Sequence, residues 1–145
     1  MSVRTEGPRV GDVVDVEVPA DSAYVGVVRS LVAGVAARLD LDLDHVEDLR
    51  LAVSEAAALV LGSTEGDEPR LRVSAAVRPD GLCITLATPT TQETPPPTSA
   101  FAWAVLEALT ETVEADVSDG WLTVSLSVSG DITAPAGDSA EAARP

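Results

Sequence analysis

Between residues 13 and 61 the spacing of apolar side chains changes from every second residue to every third or fourth. That change limits the folds open to this chain. "VVDVEVP" (13–19) alternates apolar and acidic residues, as a half-exposed strand does, and Pro19 ends it. From Asp21 or Ser22 onward, Tyr24, Val27, Val28, Leu31, Val35 and Leu39 recur at helical spacing until "LDLDLD" interrupts them. A second helix is predicted to start at Asp44, an N-cap residue with Glu47 three positions later, as in a capping box. Its apolar face runs through Val46, Leu49, Val53, Ala56 and Val60, and Gly62 stops it. The spacing then returns to two. "RLRVSAAV" and "LCITLAT" read as strands joined across "RPDG", a hairpin signal.

Residues 88–99, "TPTTQETPPPTS", carry four prolines, which exclude a helix and a central strand. A third helix is predicted from about Ser99, with Phe101, Val105, Leu109 and Val113 along one face and Phe101 and Trp103 in the core. "WLTVSLSVS" reads as a closing strand behind an Asp119-Gly120 turn. The expected order is β-α-α-β-β-loop-α-β, with room for one more strand. This is an α/β (α+β) two-layer sandwich, with helices on one face of a mixed, mostly antiparallel sheet. Residues 1–11 read as a flexible start, 12–129 as one domain and 130–145 as a disordered tail.

Composition narrows the functions. The formal charge is −15, every basic residue is Arg, and Lys and Asn are absent. Nucleic acid phosphates and anionic lipid would repel such a surface, and a basic protein would be drawn to it. One Cys and one His cannot build a Cys/His zinc site. No apolar run reaches the roughly 20 residues of a membrane helix, and the first residues do not read as a signal peptide, so a cytoplasmic protein is expected. The acids of "LDLDLDHVED" lack the glycine and ligand spacing of a calcium loop. His45, in the first turn of a helix among acids, reads as exposed, and no G-x-S-x-G elbow accompanies it. Cys83, in an apolar strand, reads as an inert core residue.

Glu55 stands in the middle of "DLRLAVSEAAALVL" (48–61). It lies about 200° around the helix from Val53, which would turn it to water. Its surroundings support a second reading. The segment "VPADSAYVGVVRSLVAGVAARLDLDLDHVEDLRLAVSEAA", most specifically "EDLRLAVSEA", resembles the first half of bacterial anti-sigma factors of the RsbW type. These are the serine kinase branch of the GHKL, or histidine-kinase-like, ATPases. "VLEALTETVEADVSDGWLTVSLSV" is similar to the end of the same domain.

The resemblance implies a Bergerat-type fold, an ATP and Mg²⁺ site, and protein partners. In the family this helix carries E-x-x-x-N, whose Glu activates the attacking hydroxyl and whose Asn holds Mg²⁺. Glu55 matches the acid, but Leu59 stands at the Asn position. Thr88 stands about where an Asp would read the adenine amino group. Ala100 and Ala102, beside Phe101 and Trp103, replace a G-x-G at the start of the last helix, and Pro95, Pro96 and Pro97 replace part of the flexible lid.

Leu59 cannot ligate Mg²⁺, and no phosphate-binding lysine is present. Glu55 therefore reads as a remnant of the family base or as a structural acid. The implied function is an anti-sigma factor that sequesters an alternative sigma factor and is released by an anti-anti-sigma antagonist. No cofactor is expected, with ATP and Mg²⁺ only if the family activity is retained; the alternative is an active protein serine kinase. A third possibility is a small-molecule sensor using the altered pocket. Arg29 falls where relatives place an arginine that contacts both partners; otherwise it is an ordinary surface arginine. Relatives form dimers, often through the first strand and helix, so a homodimer is expected. No metal site, nucleic acid or membrane is implied.

Overall fold

The computed structural model describes residues 9–39 and 41–130. The tail expected beyond residue 130 and most of the expected flexible start lie outside these residues. Five strands, β1 (Val13–Pro19), β2 (Arg70–Arg78), β3 (Gly81–Pro89), β4 (Thr112–Ser118) and β5 (Trp121–Ser129), form one sheet in the order β1-β2-β3-β5-β4. Every pairing is antiparallel, so the sheet is not mixed. Three helices, α1 (Val25–Arg38), α2 (Leu43–Leu61) and α3 (Phe101–Leu109), lie on one side, with α2 packed between α1 and α3.

The core is where the helical and strand periods meet. Val28, Val32 and Ala36 of α1 and Leu49, Val53, Ala56 and Val60 of α2 are buried against alternate residues of the sheet, among them Leu71, Val73, Ile84, Leu86, Val124 and Leu126. Two turns are set by local chemistry. Asp119 (φ 54°) and Gly120 (φ 79°) adopt the left-handed conformations that a tight hairpin between β4 and β5 requires. At Gly81 a Cβ would lie 1.9 Å from the Val128 carbonyl oxygen, so β3 and β5 approach too closely there for any side chain.

The cap of α2 differs from expectation. Asp42, with extended backbone, is the N-cap, and its carboxylate accepts from the His45 N–H at 2.9 Å. Starting there places Asp44 in the first turn, where the unpaired N–H groups favour negative charge. Glu47 closes no capping box; it lies 3.8 Å from Arg50. The His45 backbone N–H, then the His45 ring, hold the Asp42 carboxyl below its ordinary pKa.

Other corrections concern α3 and β3. The helix ends at Leu109 and Thr110 is extended, so Val113 belongs to β4. Thr110, Thr112 and Val113 are β-branched, and Val113, Ala115 and Val117 pack against the core at period two. Trp103 is buried, but Phe101 is 83% exposed. Cys83 is half-exposed on the helix-free face, because Leu82, Ile84 and Leu86 take the inward positions of β3.

Candidate functional site

Glu55 and Leu59 lie one turn apart on α2. Their shared flank faces away from the line of Leu49, Val53 and Val60, which anchors the helix to the sheet. Glu55 is half-buried and makes no hydrogen bond or ion pair with any described residue. Leu59 is half-buried and packs against the core cluster.

The end of β3 is tied to the loop that follows α2. Thr88 is fully buried, and its hydroxyl meets the Thr64 hydroxyl at 2.8 Å. Thr64 also bonds back to the Val60 carbonyl at 3.2 Å, in the last turn of α2. Next to this pair the Glu65 N–H donates to the Pro89 carbonyl at 3.0 Å, and the Thr91 hydroxyl donates to the Glu65 carboxylate. Thr90 is buried; its N–H reaches the Gly120 carbonyl at 2.9 Å, and its hydroxyl accepts from the Gln92 N–H at 3.1 Å. These bonds form a clasp joining the end of α2, the end of β3 and the β4–β5 turn. Sequence reasoning found Thr88 but missed Thr64 and Thr90, since a threonine in "STEGDEP" or "TPTT" has no periodic pattern to mark it.

Ala100 is the N-cap of α3, in extended conformation and with no side-chain cap, and Ala102 is half-buried in the first turn. α3 packs on α2, and Thr88 is tied through Thr64 to the last turn of α2, the helix that carries Glu55 and Leu59. Arg29 lies apart from them. It is half-buried between α1 and α2, where its Nη1 donates to the Ser54 hydroxyl at 3.2 Å. Ser54 in turn donates to the Arg50 carbonyl at 3.0 Å. Ser54 and Leu59 are roughly 140° apart around α2, so Arg29 belongs to the other flank of the helix. Sequence reasoning did not single out Ser54, although its position four residues after Arg50 permits this back-bond.

Among the described residues, no group of three or more His, Cys, Asp or Glu side chains could hold a metal ion. His45 is exposed, with its ring 2.7 Å from Asp42 and no nucleophile assigned to it. No described helix is long and apolar enough to cross a membrane.

Comparison with known proteins gives the family and the fold. The family model of the histidine kinase-like ATPase domain matches residues 18–128. Among curated proteins, the serine-protein kinase RsbW of Bacillus velezensis is 40% identical over 63 residues, 43% of this chain and 39% of the relative. RsbW of Bacillus pumilus is 32% identical over 80 residues, 52% of this chain and 49% of the relative. RsbW of Bacillus subtilis is 47% identical over 45 residues, 31% of this chain and 28% of the relative. The matched region thus spans half or less of the length of these relatives. Among solved structures, the RsbU and RsbW domains of a Mycobacterium tuberculosis protein superpose with a TM-score of 0.65 at 16% identity, covering 81% of this chain and 32% of that one. The last likeness concerns the fold alone.

Proposed function

This chain belongs to the histidine kinase-like ATPase domain family, and we propose that it works as an anti-sigma regulatory factor of the RsbW kind with weak or no ATP binding. In this reading it sequesters an alternative sigma factor in the cytoplasm and is released by an anti-anti-sigma antagonist. The observation that carries the reading is Leu59: at the position where the family resemblance expects a metal-holding Asn, an apolar side chain packs against the core.

The remaining positions support the same conclusion. The donor set does not fit a Mg²⁺-nucleotide held in the family manner. Mg²⁺ requires oxygen ligands in near-octahedral geometry, and leucine offers none. The Thr88 hydroxyl, at the expected place of the adenine-reading acid, is occupied by Thr64. A net charge of −15 adds repulsion toward a triphosphate. The same charge steers a basic protein partner toward the surface. Arg29, fixed by Ser54 and half-exposed, offers that partner a guanidinium for a carboxylate.

A second reading, an ATP-dependent serine kinase acting on the antagonist, is favoured by one observation: the Glu55 carboxylate is engaged by no described residue and so stays available as a base. The test is capture of partners from lysate of the source cells by the tagged chain, followed by addition of the captured antagonist with Mg²⁺ and ATP. Recovery of a sigma factor and of an antagonist that stays unphosphorylated supports the first reading. Phosphate on a serine of the antagonist supports the second, and recovery of neither protein refutes both.

A further inference from the structure

The sheet ends in two edge strands, β1 and β4. Every second residue of an antiparallel edge strand turns both its N–H and its C=O away from the sheet. Among the described residues nothing pairs with that side of β4. Toward the helices, Val113, Ala115 and Val117 are only half-buried, although the β5 residues registered beside them, Leu126, Val124 and Leu122, are buried. The apolar layer therefore runs out to solvent at this edge.

The helix-free side of β4 carries Glu114 and Asp116, both exposed. A cleft of about 260 Å³ at the start of the strand is lined by Glu107 of α3 and by Thr112, Val113 and Glu114 of β4. Glu107, Glu114 and Asp116 make no hydrogen bond or ion pair with any described residue. No Lys, Arg or His lies between Arg78 and Arg144, so β3, α3, β4 and β5 supply no cation to offset them. The other edge is balanced differently: Arg70 and Arg72 of β2 hold Glu17 of β1 at 3.3 and 3.2 Å.

We propose that the free edge of β4 is a docking site for an extended segment of a partner protein in which basic and apolar residues alternate, added to the sheet as a further strand. Each part of that chemistry follows from one feature of the edge. The unpaired N–H and C=O groups require an extended backbone. Val113, Ala115 and Val117 require apolar side chains at every second position, on the helix side. Glu114 and Asp116 require basic side chains at the positions between, because opposite charges on neighbouring strands attract and like charges repel. The cleft beside Glu107 receives the basic side chain nearest the start of β4.

A second copy of this chain does not meet these terms. β4 against β4 sets acid beside acid, and β1 brings Asp15 and Glu17, which share the sheet face of Glu114 and Asp116. Charges on an edge strand also serve to keep it unpaired. Against another acidic strand these do so, and a basic strand is the kind they do not exclude. The proposal rests on the edge alone and not on the anti-sigma reading, so the two can fail separately.

The probe is a labelled peptide alternating Arg and Val over the length of β4, seven residues, added to the full chain at about 0.15 M salt, where distant charges are screened. Fluorescence anisotropy gives the affinity, and hydrogen exchange of the unmodified chain gives the place. The expected result is binding that slows exchange at β4 amides and not at β1 amides. Glu114→Arg with Asp116→Arg should raise the dissociation constant by at least about tenfold, while Asp15→Arg with Glu47→Arg, an equal change of net charge at exposed positions elsewhere, should raise it less than about threefold. The same peptide N-methylated at every peptide nitrogen, its charge intact, should not bind. Equal losses in the two double variants, binding of the methylated peptide, protection away from β4, or no binding at all overturns the proposal.

Discussion

Thr88→Asp would place an acid where the family resemblance expects one to face adenine, and the fold is expected to resist it. Thr88 has no solvent exposure, and its side chain hydrogen-bonds a single hydroxyl, that of Thr64. An ionised carboxylate there gains one hydrogen bond and loses its hydration, so it protonates instead. Holding an Asp protonated at pH 7, about three units above its ordinary pKa, costs roughly 4 kcal/mol at about 1.4 kcal/mol per unit. The Thr64 hydroxyl reduces that cost by about 1–2 kcal/mol if it donates to the charged form. A net loss of about 2–4 kcal/mol is therefore expected at pH 7.

The sign of the pH dependence is distinctive. A carboxyl whose folded pKa is raised binds more protons in the folded than in the unfolded state. The variant's deficit therefore shrinks as pH falls from 7 toward about 4 and grows as pH rises through that window. Urea denaturation of wild type and variant at pH 7 and pH 5, followed by circular dichroism, measures both effects. Equal stability at pH 7, or a deficit that deepens at pH 5, would refute the view that a closed hydroxyl pair occupies this place.

Three further outcomes are expected. Arg29→Ala should leave the chain folded, since Ser54 keeps its bond to Arg50, yet raise the off-rate of a captured sigma factor by at least about tenfold, or roughly 1.4 kcal/mol, in surface plasmon resonance; an unchanged rate makes Arg29 a plain surface residue. Glu55→Ala should leave sigma binding nearly unchanged and stability equal or slightly higher, because Glu55 bonds nothing described and Ala is the better helix former; a large affinity loss in the folded variant counts against this. Gly81→Ala should lower the melting temperature by several degrees, because its Cβ collides with the Val128 carbonyl and the paired backbones of β3 and β5 must move apart; calorimetric melting that matches wild type would show that they do so without cost.

The periodic elements were legible in the sequence. β1, α2, the β2–β3 hairpin and β5 follow from apolar spacing and the Asp119-Gly120 turn, because burial on one face imposes a period the chain must display. The ends of elements were less legible. Asp42 and Asp44 are equally good caps by type, and only the extended backbone at Asp42 selects between them. Val113 fits the end of a helical stripe and the start of a strand equally well, and the β4–β5 pairing resolves it in favour of the strand.

Phe101 and Cys83 were assigned to the core because they are apolar. Period alone does not reveal which side of α3 or β3 the sheet leaves open. Within the site, Glu55, Leu59 and Thr88 were found through the family resemblance. The Thr64–Thr88 clasp and the Arg29–Ser54 bond join residues 24 and 25 positions apart, where short polar side chains leave no periodic trace.

The proposal depends most on the absence of a working nucleotide site, and isothermal calorimetry of the full chain with ATP and Mg²⁺ tests it most directly. With Leu59 where the family resemblance expects the metal-holding Asn, and with Thr88 closed by Thr64, no Mg²⁺-dependent binding heat is expected at physiological ATP concentrations. Micromolar affinity that disappears on adding EDTA would contradict the account and return Glu55 to the role of a catalytic base.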